Sequence, residues 1–428
     1  MTAYLRFFIL FLGLAMSSLV SDGAYVQMIG VVLLFIYCII STPLRRTLLE
    51  RNTVLSVIVA MGIITAFYLY FIAFTPPDCA PALVKSGFNN YIFLVLVMLF
   101  GVCFYTITRT EVETTISALA TLIVLNNLIL LLQTVVLIVN NTYIDLVEPV
   151  TGELSRYHNY ESLNPVFAFR PTGLFVEPST FSAVVAVMTI GYVLLSRAQN
   201  REPHFLPVIL SIVAMLITQS TAATIQCAVL LVAFTANRMK STRIIIALML
   251  VGALVTVPSF LEAYLNSFTT KMNESSELRL SLMDYIYNGR TGWDWLLGHG
   301  PFALEDSLYR LTRTDGAFQV ASLNDAGLLQ YFVVRFGMLG FVIPILFFIR
   351  IKKDLSHLLF FLVLMSVKIS YADPILYVGL LPLLLRPSKC VTPHSRAPGA
   401  QPFNPVNSIE VRHRAYPPQR SWQSSRPQ

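Results

Sequence analysis

The stretch Phe169 to Leu195, FRPTGLFVEPSTFSAVVAVMTIGYVLL, sets an arginine, a turn and a glutamate at the mouth of a long apolar run. Read as a helix from Leu174 to Leu195, the run is long enough to cross the ~30 Å hydrocarbon core of a bilayer at ~1.5 Å per residue. Charges at such a mouth are costly unless they have a partner or a task. Arg170 offers a planar fork of donors suited to phosphate oxygens, and Thr172-Gly173 lets the backbone turn before the helix begins. Glu177 is expected about two turns further in, near the face of Arg170. Two readings stand: a structural ion pair steadying the junction, or a site for a pyrophosphate-linked lipid.

The rest of the chain is of one kind with this run. Hydrophobic residues make up 55% and charged residues 12%, against roughly a quarter charged in soluble domains. The chain therefore reads as all-α, a polytopic membrane bundle of about 12 transmembrane helices without a separate soluble domain. Spans are expected near Leu5 to Leu19, Tyr25 to Ile40, Thr53 to Phe74, Tyr91 to Ile107, Thr115 to Val139 and Leu174 to Leu195. Six more are expected near Phe205 to Thr218, Thr221 to Ala236, Ile244 to Leu261, Leu328 to Ile349, Leu358 to Ile369 and Asp373 to Leu385. The first run lacks a small-residue cleavage site and reads as an uncleaved helix. Cys38, Cys103 and Cys227 lie in apolar runs, Cys79 in a loop and Cys390 in the tail, with no spacing that suggests zinc or a disulfide framework.

Basic residues give the orientation, because they favour the cytoplasmic ends of spans. Arg45, Arg46 and Arg51 share one connection, Arg109 lies in the next but one, and Arg197 with Arg201, Arg238 to Arg243, and Arg350 to Lys353 follow in alternate loops. Both termini are thus expected in the cytoplasm. The net charge of +7 follows from this topology, and no nucleic-acid partner is needed to explain it. The bundle occupies 1–385, with external loops at 140–173 and 262–327. The tail, 386–428, is rich in Pro, Arg, Ser and Gln and is expected to be disordered and cytoplasmic. Most polar chemistry falls in the two external loops, so the protein is expected to work at the outer face. Lys368 and Asp373, at the last external turn, read simply as interfacial.

The second loop opens with ESSELRLSLMDYIYN (274–288), whose Leu278, Leu282 and Ile286 fall at helical spacing. This predicts an amphipathic helix at the outer interface with Arg279 on its polar side, where a lipid-headgroup contact is the plainer alternative. Trp293 and Trp295 follow in RTGWDWLLGHGPF (290–302) and could stack on sugar rings or anchor the interface. Gly298 and Gly300 around His299 would let backbone and ligand approach closely. Asp306 and Asp325 come next. Arg335 sits about 12 Å inside its helix, either paired to a buried acid or lining a cleft for the lipid carrier.

R-x-x-G-L-F-x-E-P-S before an apolar helix, the Q-S-T-A start at Gln219, the G-x-G turn, the D-S at Asp306 and N-D-x-G-L-L ending in R-x-G-x-x-G together resemble the signature of Wzy-type bacterial polysaccharide polymerases, of the O-antigen ligase/polymerase superfamily. The likeness covers roughly Phe169 to Gly340. It implies a glycosyltransferase in the bacterial inner membrane, acting at the periplasmic face in O-antigen, capsule or exopolysaccharide synthesis. Such an enzyme moves a growing glycan from undecaprenyl diphosphate to a sugar hydroxyl of the next lipid-linked unit. A chain-length regulator and a flippase are partners implied by the resemblance alone.

That chemistry needs cations on the leaving diphosphate and a base for the incoming hydroxyl. Arg170 is the first choice of cation, with Arg279, Arg290 and Arg335 behind it. Glu177, His299, Asp306 and Asp325 are the candidate bases, Glu177 and His299 ahead. Arginines can stand in for a divalent ion, so neither metal nor cofactor is expected. The nearest rival is an O-antigen ligase, weakened because Leu323-Asn324-Asp325 lacks the histidine that ligases carry near this helix start. A flippase or other transporter is disfavoured by the nearly clean spans.

Overall fold

The computed structural model of the chain describes residues 3–20, 25–74, 81–140, 142–156, 170–235, 280, 282–303, 305, 323, 326–351 and 354–384. Among them the repeating structure is helical, and no strand occurs. Helices fall on every expected apolar stretch except Ile244 to Leu261, which lies outside the described residues, as does the tail from 386.

The first helices are α1 (Ala3–Ser18), α2 (Tyr25–Ile40), α3 (Thr42–Leu48), α4 (Arg51–Ala73), α5 (Pro81–Thr110) and α6 (Val112–Asn140). Helices α1 and α2 pack as a hairpin. The chain then bends by 103° between α2 and α3, where Pro43 opens a short helix carrying Arg45 and Arg46. Among the described residues five helices are long and apolar enough to cross a membrane: Arg51–Ala73, Gly87–Thr110, Val112–Asn140, Pro178–Ala198 and Leu328–Ile351. The bent pair of α2 and α3 makes a sixth candidate, while other apolar helices are shorter. The chain is a helical membrane protein.

Beyond the turn α7 (Glu148–Thr151) lie α8 (Pro178–Ala198), α9 (Phe205–Ile217) and α10 (Thr221–Thr235). Helix α8 is the axis of the bundle, with 94% of its apolar window buried, against 6% for α4. Both are apolar all round, but α8 carries Ser182, Ala183, Ala186, Thr189 and Gly191, small residues that let neighbouring backbones come close. A Cβ added at Gly191 would run into the Val378 carbonyl oxygen. Polar side chains inside the bundle answer one another: Asn127 of α6 donates to Ser211 of α9 at 3.2 Å, and Thr189 of α8 donates to the same hydroxyl at 2.8 Å.

Helix α8 starts at Pro178, later than the expected Leu174. A residue before proline avoids the helical region, and Glu177 is extended (φ −129°, ψ 148°) with proline opening the first turn. The second half of the chain adds α11 (Gly292–Leu297), α12 (Leu328–Phe336), α13 (Val342–Ile351), α14 (Leu355–Ser366) and α15 (Leu376–Leu384). The expected continuous span from Leu328 to Ile349 is interrupted by a 3₁₀ turn at Gly337–Phe341, because Gly337 adopts φ 56°, ψ −151°, a conformation open essentially to glycine alone.

Gly191→Val should lower the melting temperature of the detergent-solubilised protein, since overpacking a tight contact costs about 1–3 kcal/mol. Gly62→Ala, where an added Cβ on α4 meets nothing within 4 Å, should leave it unchanged or slightly raised.

Candidate functional site

Both ends of the loop between α6 and α8 are tied to the bundle by one amide. Gln133 lies in α6, in a run of apolar residues, and its Nε2 donates to the Ile144 carbonyl at 2.9 Å. Its Oε1 accepts from the backbone N–H groups of Thr172 (3.1 Å) and Gly173 (2.8 Å). The loop's two ends are thereby held side by side, and Tyr143 and Thr172 share a hydroxyl contact at 2.7 Å. Asp145 shapes residues 145–155 by accepting from the amides of Val147, Glu148 and Ser155 and from the Ser155 hydroxyl. Burial works against its charge, but those donors hold its carboxyl below the usual range. Arg156 follows at once, its backbone N–H on the Val176 carbonyl at 2.6 Å.

That geometry brings Arg156 to Glu177, with Arg156 Nη1 2.7 Å from Glu177 Oε1. Lys368 Nζ takes the other oxygen at 2.5 Å, and the Ser179 hydroxyl adds a bond at 3.0 Å. The expected neighbourhood of Glu177 and Arg170 is therefore corrected: the glutamate stands just before α8, its side chain between Arg156 and Lys368. Burial would raise its pKa, but the Lys368 charge and hydrogen bond, then the Arg156 charge and the Ser179 hydroxyl, bring it down to about 2. Lys368 belongs to this cluster and is mostly buried, which corrects the simply interfacial reading.

Arg170 turns the other way. Its Nε donates to the Thr218 carbonyl at 3.1 Å, and the Thr218 hydroxyl meets the Ser182 hydroxyl in the first turns of α8 at 2.8 Å. Thr218 begins the tight turn between α9 and α10, where Gln219 is left-handed at φ 52°. The Arg170 stretch and the Gln219 stretch, apart in sequence, thus meet beside the mouth of α8.

The connection between α14 and α15 joins this cluster to the second half of the chain. Three residues after Lys368, the Tyr371 ring packs on Tyr331, Phe332 and Phe336 of α12, with ring centroids 5.3 to 5.8 Å apart. Arg335 lies on the same helix, bonded through Nε to the Tyr331 hydroxyl (3.3 Å) and through Nη1 to the Ala303 carbonyl (3.1 Å). Asp373, expected at an interface, is buried, accepting from the Ser370 backbone and from Gln27 of α2 at 3.4 Å.

Around His299 the loop is packed against the end of α12. Gly298 (φ 59°, ψ −163°) presses against the backbone of Arg335 and Gly337, and the Gly300 N–H bonds the Arg335 carbonyl at 2.8 Å. The glycines of this turn serve backbone-to-backbone approach, where approach to a ligand was expected. Arg290 is buried, paired to Glu305 at 2.5 Å and bonded to the carbonyls of Val333 and Val334, so it clamps the loop to the end of α12. His299 Nδ1 stands 3.6 Å from Glu305 and 4.0 Å from Asp294. Leu282 and Ile286 face inward onto Val333 and Val334. Trp293 and Trp295 on α11 are exposed, 73% and 40%. Arg279, Asp306 and Asp325 lie outside the described residues. Among the described residues no group of three His, Cys, Asp or Glu side chains is placed to hold a metal ion.

The chain matches no family model, no curated protein and no solved structure. Of the residues that build the site, Gln133, Arg156, Thr218 and Lys368 were not among the expected site residues. Gln133 and Lys368 each carried a signal, a polar side chain within an apolar run.

Gln133→Leu leaves the amides of Thr172 and Gly173 without their acceptor, at about 1–3 kcal/mol each, and should make the 142–177 segment markedly more sensitive to protease. Glu177→Gln should lower the melting temperature at neutral pH. Because the folded-state pKa of Glu177 lies below its ordinary value of 4.5, the difference from wild type should stay constant above about pH 5 and vanish as pH falls from 4.5 through about 2.

Proposed function

We propose that the chain is a polysaccharide polymerase of the Wzy type, spanning the bacterial cytoplasmic membrane about twelve times with both termini inside. In this reading it transfers a growing glycan from undecaprenyl diphosphate to a sugar hydroxyl of the next lipid-linked unit at the outer face. The observation that carries the reading is the gathering of charge at the mouth of α8. Arg156, Glu177 and Lys368 are joined there by short ion pairs, and Arg170 is tied to α8 through Thr218 and Ser182. A diphosphate attached to a lipid needs this combination, cations at the end of an apolar helix bundle.

Arg170 is the cation assigned to the leaving diphosphate, where charge grows in the transition state. Arg335, on the helix whose rings pack against Tyr371, is the second choice of cation. Glu177 is the first candidate for the base. Arg290 holds the second loop in place, and the exposed Trp293 and Trp295 offer ring faces to sugars. Attack in a single displacement inverts the anomeric carbon. Elsewhere in the helices polar side chains bond neighbouring helices, as in Asn127 with Ser211 and Gln226 with Ser366, or their own backbone, as in Asn126 with Leu122, which favours an enzyme over a transporter with a charged central path.

The lipid-linked glycans of cells carrying the intact gene, a deletion and Arg170→Ala test the reading. Single repeat units on the outer face, without polymer, are expected in both mutants while the variant still reaches the membrane. Arg170→Lys should not fully restore polymer, since the two-pronged guanidinium is lost. Finished polymer left on its carrier would instead identify a ligase, and single units retained inside a flippase. Normal polymer in Arg170→Ala would remove the diphosphate role.

A further inference from the structure

We propose that Lys368 and Arg156 join Arg170 in receiving the substrate's diphosphate, and that Glu177 is the resident counter-ion of Lys368 and Arg156, displaced by the diphosphate and thereby freed to act as the base. The inference rests on the polymerase reading above.

The geometry gives each cation its own carboxylate oxygen, Oε1 for Arg156 at 2.7 Å and Oε2 for Lys368 at 2.5 Å. The three residues come from different parts of the chain: the first external loop, the mouth of α8 and the connection after α14. The cluster is sheltered on the lysine side and open on the arginine side, with side-chain exposures of 17% and 49%. A diphosphate carries more charge than a carboxylate and offers more acceptor oxygens, so an ammonium and a guanidinium in this position bind it more strongly.

Exchange of partners changes the glutamate. While both cations sit on it, its carboxylate is a weak base, and withdrawal of positive charge raises its proton affinity. The base is thus strengthened by the binding event that brings the donor, before which proton abstraction is disfavoured. In the transfer step the acceptor's hydroxyl oxygen bonds to the donor's anomeric carbon. The bond from that carbon to the diphosphate oxygen breaks, and its electron pair leaves on the diphosphate, held by Lys368 and Arg156 together with Arg170. The hydroxyl proton passes to Glu177 and from there to water. Departure of the lipid diphosphate returns both cations to Glu177.

The test measures the binding of farnesyl diphosphate to the purified full chain in detergent, with farnesol as the control for the apolar tail. Wild type is expected to bind the diphosphate. Glu177→Gln and the milder Glu177→Asp are each expected to bind it about fivefold or more tightly, although Glu177→Gln makes no polymer in cells. Lys368→Ala is expected to bind about tenfold more weakly, a change of about 1.4 kcal/mol, and Glu177→Gln combined with Lys368→Ala should lose the gain. A merely structural Glu177 predicts the opposite sign for its variants. If either folded Glu177 variant binds no more tightly than a wild type that does bind, the exchange is wrong and the polymerase reading survives. If neither wild type nor any variant binds the diphosphate better than farnesol, both fall.

Discussion

A single side-chain amide, that of Gln133, settles where the two ends of the loop between α6 and α8 can be. Backbone N–H and C=O groups beside an apolar bundle must find partners within the protein, since little water is at hand. At Thr172 and Gly173 the chain turns and cannot use a helical ladder, and the Gln133 carbonyl oxygen takes both N–H groups while its N–H₂ holds Ile144. With both ends of the loop bound to one residue, Asp145 can fold residues 145–155, and Arg156 is delivered to Val176 and Glu177. The charge cluster therefore depends on a neutral hydrogen-bond network beneath it.

The same constraint explains the low turns around α8. Helices α9 and α14 have 13 and 12 residues and at ~1.5 Å per residue fall well short of the ~30 Å hydrocarbon core. Their ends are met by side chains from neighbouring helices: Thr218 by Ser182 and Arg170, Ser366 by Gln226. Short helices thus leave polar turns beside the mouth of α8, and this is what makes room for Lys368 next to Glu177. Two glycines of the second half work in the same way, since Gly298 and Gly337 let a loop and an interrupted helix share backbone contact.

Helix α4 and helix α8 show how far hydropathy alone reaches. Both pass as spans, yet one is almost wholly exposed on the bundle surface and the other almost wholly enclosed. Composition distinguishes them in part, because α8 is rich in small residues and α4 in large ones. Arg170 and Glu177 present the reverse case. Their spacing invites a local pair, but the Glu177-Pro178 junction ends the helical geometry that such a pair assumes, and each side chain finds partners far away in sequence.

By itself the sequence determined the helical class, the membrane environment and the positions of most apolar helices, because burial in lipid imposes a length and a composition that can be read residue by residue. It also marked the mouth of α8 as unusual, since charges beside a long apolar run need a reason. Only the tertiary structure decided which charges meet. The partners of Glu177 lie 21 and 191 positions away, and ion pairing acts over a few ångströms of space with no regard to distance along the chain. The fate of Arg290, Lys368 and the Gly298 turn was settled in the same way, by which backbone or side chain packing set against them.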